Sequence, residues 1–317
     1  MSSYSDFQVD LNNKNSSWTI LYNKIDKNSK ILDIGCSSGY FDKALIESRD
    51  CIVDGVELDP EDARKASGIC RKVLTENIED AAFPWAQLDD DYDYILFVDV
   101  LEHLIDPSAA LRNVSKRLAK NGKILFSIPN MANGSVRLQL LQGNFDYELE
   151  GLLDETHLHY YTGQTIEKMV RDSGLVLTEV DFTTFDVPKA YVEKVASSVG
   201  LKLTDEFLQY IRQGEALAYQ YIGSVQTKGA SVSRSNVVQA LKPKLDYERQ
   251  LTDMQSDLRR YEADIKELQT ALTRSRANLL EVSNTNEKLH QQLDHEKNKG
   301  VRRIARNIKH GIVKLKK

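Results

Sequence analysis

A nine-residue stretch, Ile31-Leu32-Asp33-Ile34-Gly35-Cys36-Ser37-Ser38-Gly39, constrains this chain more than any other. Lys30 to Ile34 reads as a short buried strand, and Phe41 to Ser48 has the apolar spacing of a helix. Gly35 and Gly39 permit a sharp turn between them and leave bare main chain against which a ligand can lie. Asp33 places a carboxylate beside that ligand. A turn of this kind, at the carboxyl end of a first strand, is where doubly wound sheets bind nucleotides. The spacing is D-x-G-x-x-x-G rather than the G-x-G-x-x-G of dinucleotide enzymes, and no Lys follows as in a phosphate-binding P-loop.

Twenty-two residues past Gly35, the apolar run Cys51 to Val56 ends on Glu57. An acidic side chain at the tip of a second strand can accept hydrogen bonds from ribose hydroxyls. Glu57 holds that place, with Asp59 as its substitute. Lys72 to Ile78 reads as a third strand ending at Asn77, whose amide can meet an adenine edge. Asp93 to Asp99 is a fourth strand, running into Val100-Leu101-Glu102-His103-Leu104. A helix from Pro107 to Ala119 and an Asn121-Gly122 turn lead to a fifth strand, Lys123 to Ile128, stopped by Pro129. Gly174 to Phe182 and Ala218 to Lys228 supply a sixth and a seventh, with a helical insertion between Pro188 and Gly214. The first five strands, alternating with helices, predict a parallel, doubly wound sheet with right-handed crossovers.

These residues resemble class I S-adenosylmethionine-dependent methyltransferases. DIGCSSG is similar to that family's first motif, GVELDP to its second, and VDVLEHLIDP with NGKILFSIPN to its fourth and fifth strands. The likeness runs from about residue 15 to 228. It implies a Rossmann-like seven-stranded sheet and S-adenosylmethionine as cofactor. Asp33 with the turn Gly35, Cys36, Ser37 and Gly39 would hold the methionine part. Glu57 and the adjacent Leu58 would meet the ribose, Asn77 and Ile78 the adenine, and Asp99 would close the pocket from the fourth strand. Ser37 stands where many members have glycine, and Asn77 where Asp is common.

Residues Asn130 to Thr162 sit where substrate choice is set, over the carboxyl edge of the sheet. Their amides and aromatics suit a polar, ring-shaped acceptor. The pattern PN-x7-L-x-L-L-x-G-x-F-x-Y followed by LDETHLHYYT, with Asn15-Ser16-Ser17-Trp18 before the first strand, resembles a bacterial subgroup of cell-envelope glycan and O-antigen enzymes. That resemblance implies a sugar or glycan acceptor, lipid-linked or a precursor. An acceptor hydroxyl must lose its proton as the methyl arrives, which calls for a base. His157 is the first choice because imidazole titrates near neutrality. His103 and Asp99 are its competitors, and an orienting role is the alternative for all three. No spacing is diagnostic of a metal, and none is expected.

Charge is unevenly divided. Residues 241–317 hold 18 Lys+Arg against 11 Asp+Glu, leaving 24 against 36 in residues 1–240. An acidic catalytic part argues against a nucleic-acid substrate. Cys36, Cys51 and Cys70 show no metal-ligand spacing and read as reduced residues of a cytoplasmic protein. The first 30 residues lack a signal-peptide pattern, and no run is apolar enough to span a membrane.

Gly229 to Asn236 is Ser-rich and opens a linker placed at 229–240. From Tyr247 to Leu293, apolar or aromatic residues fill 12 of 14 positions spaced alternately by four and three, with Ser275 and Asn286 in the other two. This predicts a coiled coil within 241–298, a rod of roughly 70 Å. With Leu251 at position a, Asn286 also falls at a, which favours a parallel dimer. A helix folded back on the catalytic domain is the alternative. Residues 299–317 combine an apolar stripe with Arg302, Arg303, Arg306, Lys309, Lys314, Lys316 and Lys317. A basic amphipathic tail of this kind reads as an anchor on an anionic membrane surface.

The sequence therefore predicts three parts beside the linker: a methyltransferase domain at 1–228, with 130–162 covering the substrate, a coiled-coil stalk and a basic tail. The leading expectation is O-methylation of a sugar hydroxyl on a cell-envelope glycan, at the inner face of the membrane. A quinone-precursor methyltransferase and a non-catalytic scaffold are the alternatives.

Overall fold

The computed structural model describes residues 9–227 and 237–314, with the side chains of the last helix described over 258–297 and at 299–300. Residues 9–227 build one seven-stranded sheet. Its strands are β1 (Lys30–Ile34), β2 (Ile52–Glu57), β3 (Lys72–Thr75), β4 (Tyr92–Val98), β5 (Leu118–Pro129), β6 (Leu175–Thr184) and β7 (Ala218–Thr227). They lie in the order β3-β2-β1-β4-β5-β7-β6. All neighbours are parallel except β7, which runs antiparallel between β5 and β6. The strand order reverses between β1 and β4, so a crevice opens at their carboxyl ends.

Alternation along the strands feeds two cores. Ile95 and Phe97 of β4 join Leu32, Ile34, Phe126 and Ile128 on one face. Tyr94 and Leu96 join Ile31, Val53, Leu125 and Ile222 on the other. A strand buried on both faces reads as a continuous apolar run, which is why β1 and β4 were legible. Helices α1 (Ser17–Lys24), α2 (Tyr40–Arg49), α3 (Pro60–Ala66), α4 (Pro107–Val114) and α6 (Gly163–Asp172) accompany this sheet. The expected helical insertion is α7 (Lys189–Ser198) and α8 (Asp205–Arg212), which form a third apolar cluster with Leu138 of α5 (Gly134–Leu141).

Three expectations shift. α4 stops at Val114 and a 3-10 turn follows at Ser115–Arg117, because β5 begins at Leu118, where it pairs with Tyr92. At Gly122 a Cβ would lie 2.6 Å from the Tyr92 carbonyl, so the irregular pairing there needs glycine. β3 ends at Thr75, leaving Asn77 in the following turn.

Most of the linker placed at 229–240 lies outside the described residues, and Val237 to Ala240 are already helical. α9 (Val237–Lys314) is one 78-residue helix. Over 258–297 its side chains are all exposed, including each apolar residue of the heptad series from Leu258 to Leu293. The side chains expected to form the basic stripe, from Val301 onwards, lie outside the described residues. Among the described residues, no helix is long and apolar enough to cross a membrane.

Candidate active site

The turn after β1 is held by three left-handed residues. Gly35, Ser37 and Gly39 have φ of 75°, 48° and 80°. A Cβ on Gly35 would sit 2.5 Å from Val100 Cγ2, and one on Gly39 would sit 3.2 Å from Ala66 Cα. The Ser37 amide donates to Glu57 Oε2 at 2.7 Å, and the Asp59 amide donates to Glu57 Oε1 at 2.8 Å. Glu57 therefore lies against the glycine turn. Asp59 instead caps α3, accepting from the amides of Glu61 and Asp62. That leaves Glu57 as the carboxylate for a ribose.

Asp33 is buried beside Asp42, and its Oδ1 has no hydrogen-bond partner. Burial, and then the Asp42 charge, push the Asp33 carboxyl well above the usual range. Burial likewise raises Asp42 to about 6, while Cys70 Sγ donates to its Oδ2 at 3.3 Å. Two adjacent buried carboxylates cannot both ionise cheaply. The unpaired Oδ1 of Asp33, near the end of β1, is what a ligand's cationic ammonium would satisfy. Cys36 is buried, and burial raises its thiol, so it contributes backbone rather than a thiolate. Leu58 is exposed beside Glu57. Asn77 is exposed, its Oδ1 taking the Glu79 amide at 3.0 Å, while the Ile78 side chain belongs to the core and leaves only its backbone for a ligand.

The other wall forms after β4. Asp99 is left-handed at φ 54°, and its Oδ1 accepts from Ser127 Oγ and Gln220 Nε2, both at 2.9 Å. It is thus held by two neighbours that sequence reading did not single out. A 3-10 turn at Leu101–His103 then presents Glu102 and His103. The amides of Leu158 and His159 donate to the Glu102 carbonyl at 2.9 and 3.0 Å, zipping the segment after β5 to this turn. The His103 and His157 rings consequently meet edge-on, with centroids 4.9 Å apart. His157 Nε2 lies 4.0 Å from Glu102 Oε1, with the two side chains 5% and 1% exposed. Burial and the neighbouring His103 lower His157 below the usual imidazole range. His159 turns away, its Nε2 donating to the Ile105 carbonyl at 3.2 Å.

Glu102 is the residue that sequence reading undervalued. In the sequence it is only part of the run after the fourth strand, yet it is a buried acid facing two imidazoles. Conversely, Asn130 and Asn133 do not suit an acceptor as expected. Both are fully buried, and their amide groups donate to backbone carbonyls of Glu215, Ala218, Phe185 and Ala216. They fasten the covering segment to the entry of β7. Its aromatic content is gathered instead in Phe145, Tyr147 and Tyr160, edge-on at 5.5 and 5.7 Å.

A doubly wound sheet with a glycine turn, a ribose-ready acid and a covered crevice defines a nucleotide-cofactor transferase, and the chain belongs to the family described as Methyltransferase domain, matched over residues 11–180. It is an S-adenosylmethionine-dependent methyltransferase. The ubiquinone biosynthesis O-methyltransferase of Aeromonas salmonicida is 24% identical over 189 residues, 57% of this chain and 76% of that protein. Its counterpart in Pseudomonas savastanoi pv. phaseolicola is 27% identical over 180 residues, 54% and 75% respectively. A solved SAM-dependent methyltransferase from Archaeoglobus fulgidus is 16% identical, with a TM-score of 0.47 over 71% of this chain and 97% of that one.

The residues fit the cofactor. Asp33 and the Gly35–Gly39 backbone would hold its methionine end, Glu57 the ribose, and the Asn77–Ile78 turn the adenine. When bound, S-adenosylmethionine supplies an electrophilic methyl group on a sulfonium. The chain's own contribution would be to bury that end of the cofactor against Asp33 and the glycine turn.

Proposed function

We propose that this enzyme methylates a hydroxyl on a small ring-bearing acceptor of the quinone-precursor type. The observation that carries this is the Glu102–His103–His157 cluster at the end of β4. Amines are nucleophilic without help, whereas a hydroxyl needs a group that promotes loss of its proton. The similarity to ubiquinone biosynthesis O-methyltransferases over three quarters of their length supports the ring-bearing acceptor over a glycan. So does the aromatic group Phe145, Tyr147 and Tyr160, which offers ring edges and faces to a flat molecule. The test is a direct comparison of catechol-type quinone precursors with lipid-linked and free glycans, following S-adenosylhomocysteine release. Turnover confined to glycans would overturn the acceptor class and restore the polysaccharide reading.

We also propose that α9 pairs with α9 of a second copy, in parallel, and that the tail beyond it attaches to an anionic membrane surface. Leu258, Tyr261, Ile265, Leu268, Leu272, Leu279, Val282, Leu289 and Leu293 occupy a and d positions and are each more than half exposed. Such a stripe on a lone helix is stabilised when a partner covers it. Pairing would bring two basic tails to one surface and strengthen their joint attachment.

A further inference from the structure

We propose that Glu102, His103 and His157 bind a divalent cation of the zinc or manganese class beside the acceptor position. Each residue offers one ligand atom, and the three atoms all lie within 4.8 Å of one another. Bonds of about 2.0–2.1 Å would bring tetrahedral ligands to about 3.3 Å apart, so small side-chain adjustments suffice to close the set.

Glu102 supplies the independent evidence. It is 1% exposed, and neither of its side-chain oxygens has a hydrogen-bond partner. A buried acid without a partner is costly, and proteins keep such groups paired or metal-bound. Two imidazoles face it, with His157 Nε2 4.0 Å from Oε1, and the carboxylates of Asp99 and Asp154 lie near enough to act on it.

The surrounding bonds set the ligands' orientation. His103 Nδ1 lies 3.2 Å from the Thr156 carbonyl, which can only accept, so Nδ1 carries the hydrogen and Nε2 keeps its lone pair. Thr156 is held in turn by Asp154 Oδ1, at 2.8 Å from its amide and 2.6 Å from its hydroxyl. Two imidazoles with one carboxylate suit a borderline transition-type cation better than calcium or magnesium, which favour all-oxygen shells.

The role of this site rests on the hydroxyl-acceptor reading; its existence does not. A cation here lowers the pKa of an acceptor hydroxyl that approaches it. The hydroxyl's proton leaves to solvent, the O–C bond forms as the C–S bond breaks, and the sulfonium becomes a neutral thioether. No oxidation state changes. His157 is then a ligand rather than the proton acceptor expected from the sequence.

The experiment uses full-length protein stripped with chelator and titrated with MnCl2, reading free Mn2+ by electron paramagnetic resonance, with ZnCl2 as competitor. One ion should bind per chain. Glu102→Gln and His157→Ala should each weaken binding about tenfold or more. His159→Ala, two residues away but turned to Ile105, should bind as the parent does. S-adenosylmethionine calorimetry on every variant reports that it is folded. Absence of saturable Mn2+ and Zn2+ binding, or affinity untouched by both substitutions, overturns the site. Full turnover of stripped protein overturns its role and returns His157 to proton transfer. Intact ion binding without transfer to any hydroxyl acceptor sinks the proposed function alone.

Discussion

The Glu57 carboxylate spans the tips of two strands, taking the Ser37 amide on Oε2 at 2.7 Å and the Asp59 amide on Oε1 at 2.8 Å. It therefore shapes the glycine turn, and its remaining lone pairs would serve a ribose. Glu57→Ala should weaken S-adenosylmethionine binding by about 1–3 kcal/mol, the usual cost of leaving polar partners unmet. Glu57→Gln should lose less, since one oxygen remains. Calorimetry giving equal affinity for Glu57→Ala and the parent would remove this residue from the cofactor site.

Gly35 meets two constraints at once: φ of 75° and Val100 Cγ2 at 2.5 Å from a would-be Cβ. Gly35→Ala should destabilise the fold by about 1–3 kcal/mol and impair cofactor binding. Adding Val100→Ala should recover only the steric part, because the backbone angle stays unfavourable. Full recovery in urea melts of the double variant would show that the angle carries no cost.

Asp42 gives the cofactor-free protein a pH signature. Its folded pKa of about 6 lies above the unfolded value of about 3.9, so its contribution to stability is fully present below the latter and lost as pH rises through the former. Asp42→Asn keeps an acceptor for Cys70 and removes the charge. It should be more stable than the parent at pH 7, by about 1–3 kcal/mol, with the gap narrowing towards pH 4. A constant difference across that range, in thermal melts, would contradict the assignment.

Under the other end of the sheet, Asp54 is fully buried and takes Arg71 Nε at 2.8 Å and Tyr92 OH at 2.6 Å, while Arg71 also reaches Asp89 at 2.6 Å. Arg71→Met leaves a buried charge with only a phenol. The loss should be about 3 kcal/mol in chemical denaturation. Cofactor affinity should be unchanged, since this network lies at the amino ends of the strands.

The exposed heptad residues of α9 are tested by charge. Ile265→Asp with Leu272→Asp puts four acids into the seam of a dimer. Light scattering on the full chain should show the parent as a dimer and the variant as a monomer with undiminished cofactor binding. A monomeric parent would sink the pairing.

The order of β1 to β5, the glycine turn and Glu57 were legible because each is a local pattern: an apolar run, a turn residue, an acid at a strand tip. Boundaries failed where pairing overrode propensity, as at Leu118, drawn out of a helix by its register with Tyr92. The heptad series was likewise local, being one face of one helix. The tertiary structure alone decided which polar residues are spent on structure and which are free. Asn130 and Asn133 looked like acceptor contacts but satisfy the carbonyls of distant segments, 52 to 88 residues away. Glu102 carried no role in the sequence, but its buried side-chain oxygens lack a hydrogen bond and lie opposite a histidine 55 positions on. No periodicity encodes such pairings, because hydrogen-bond satisfaction and desolvation depend on what the folded chain brings within a few ångströms.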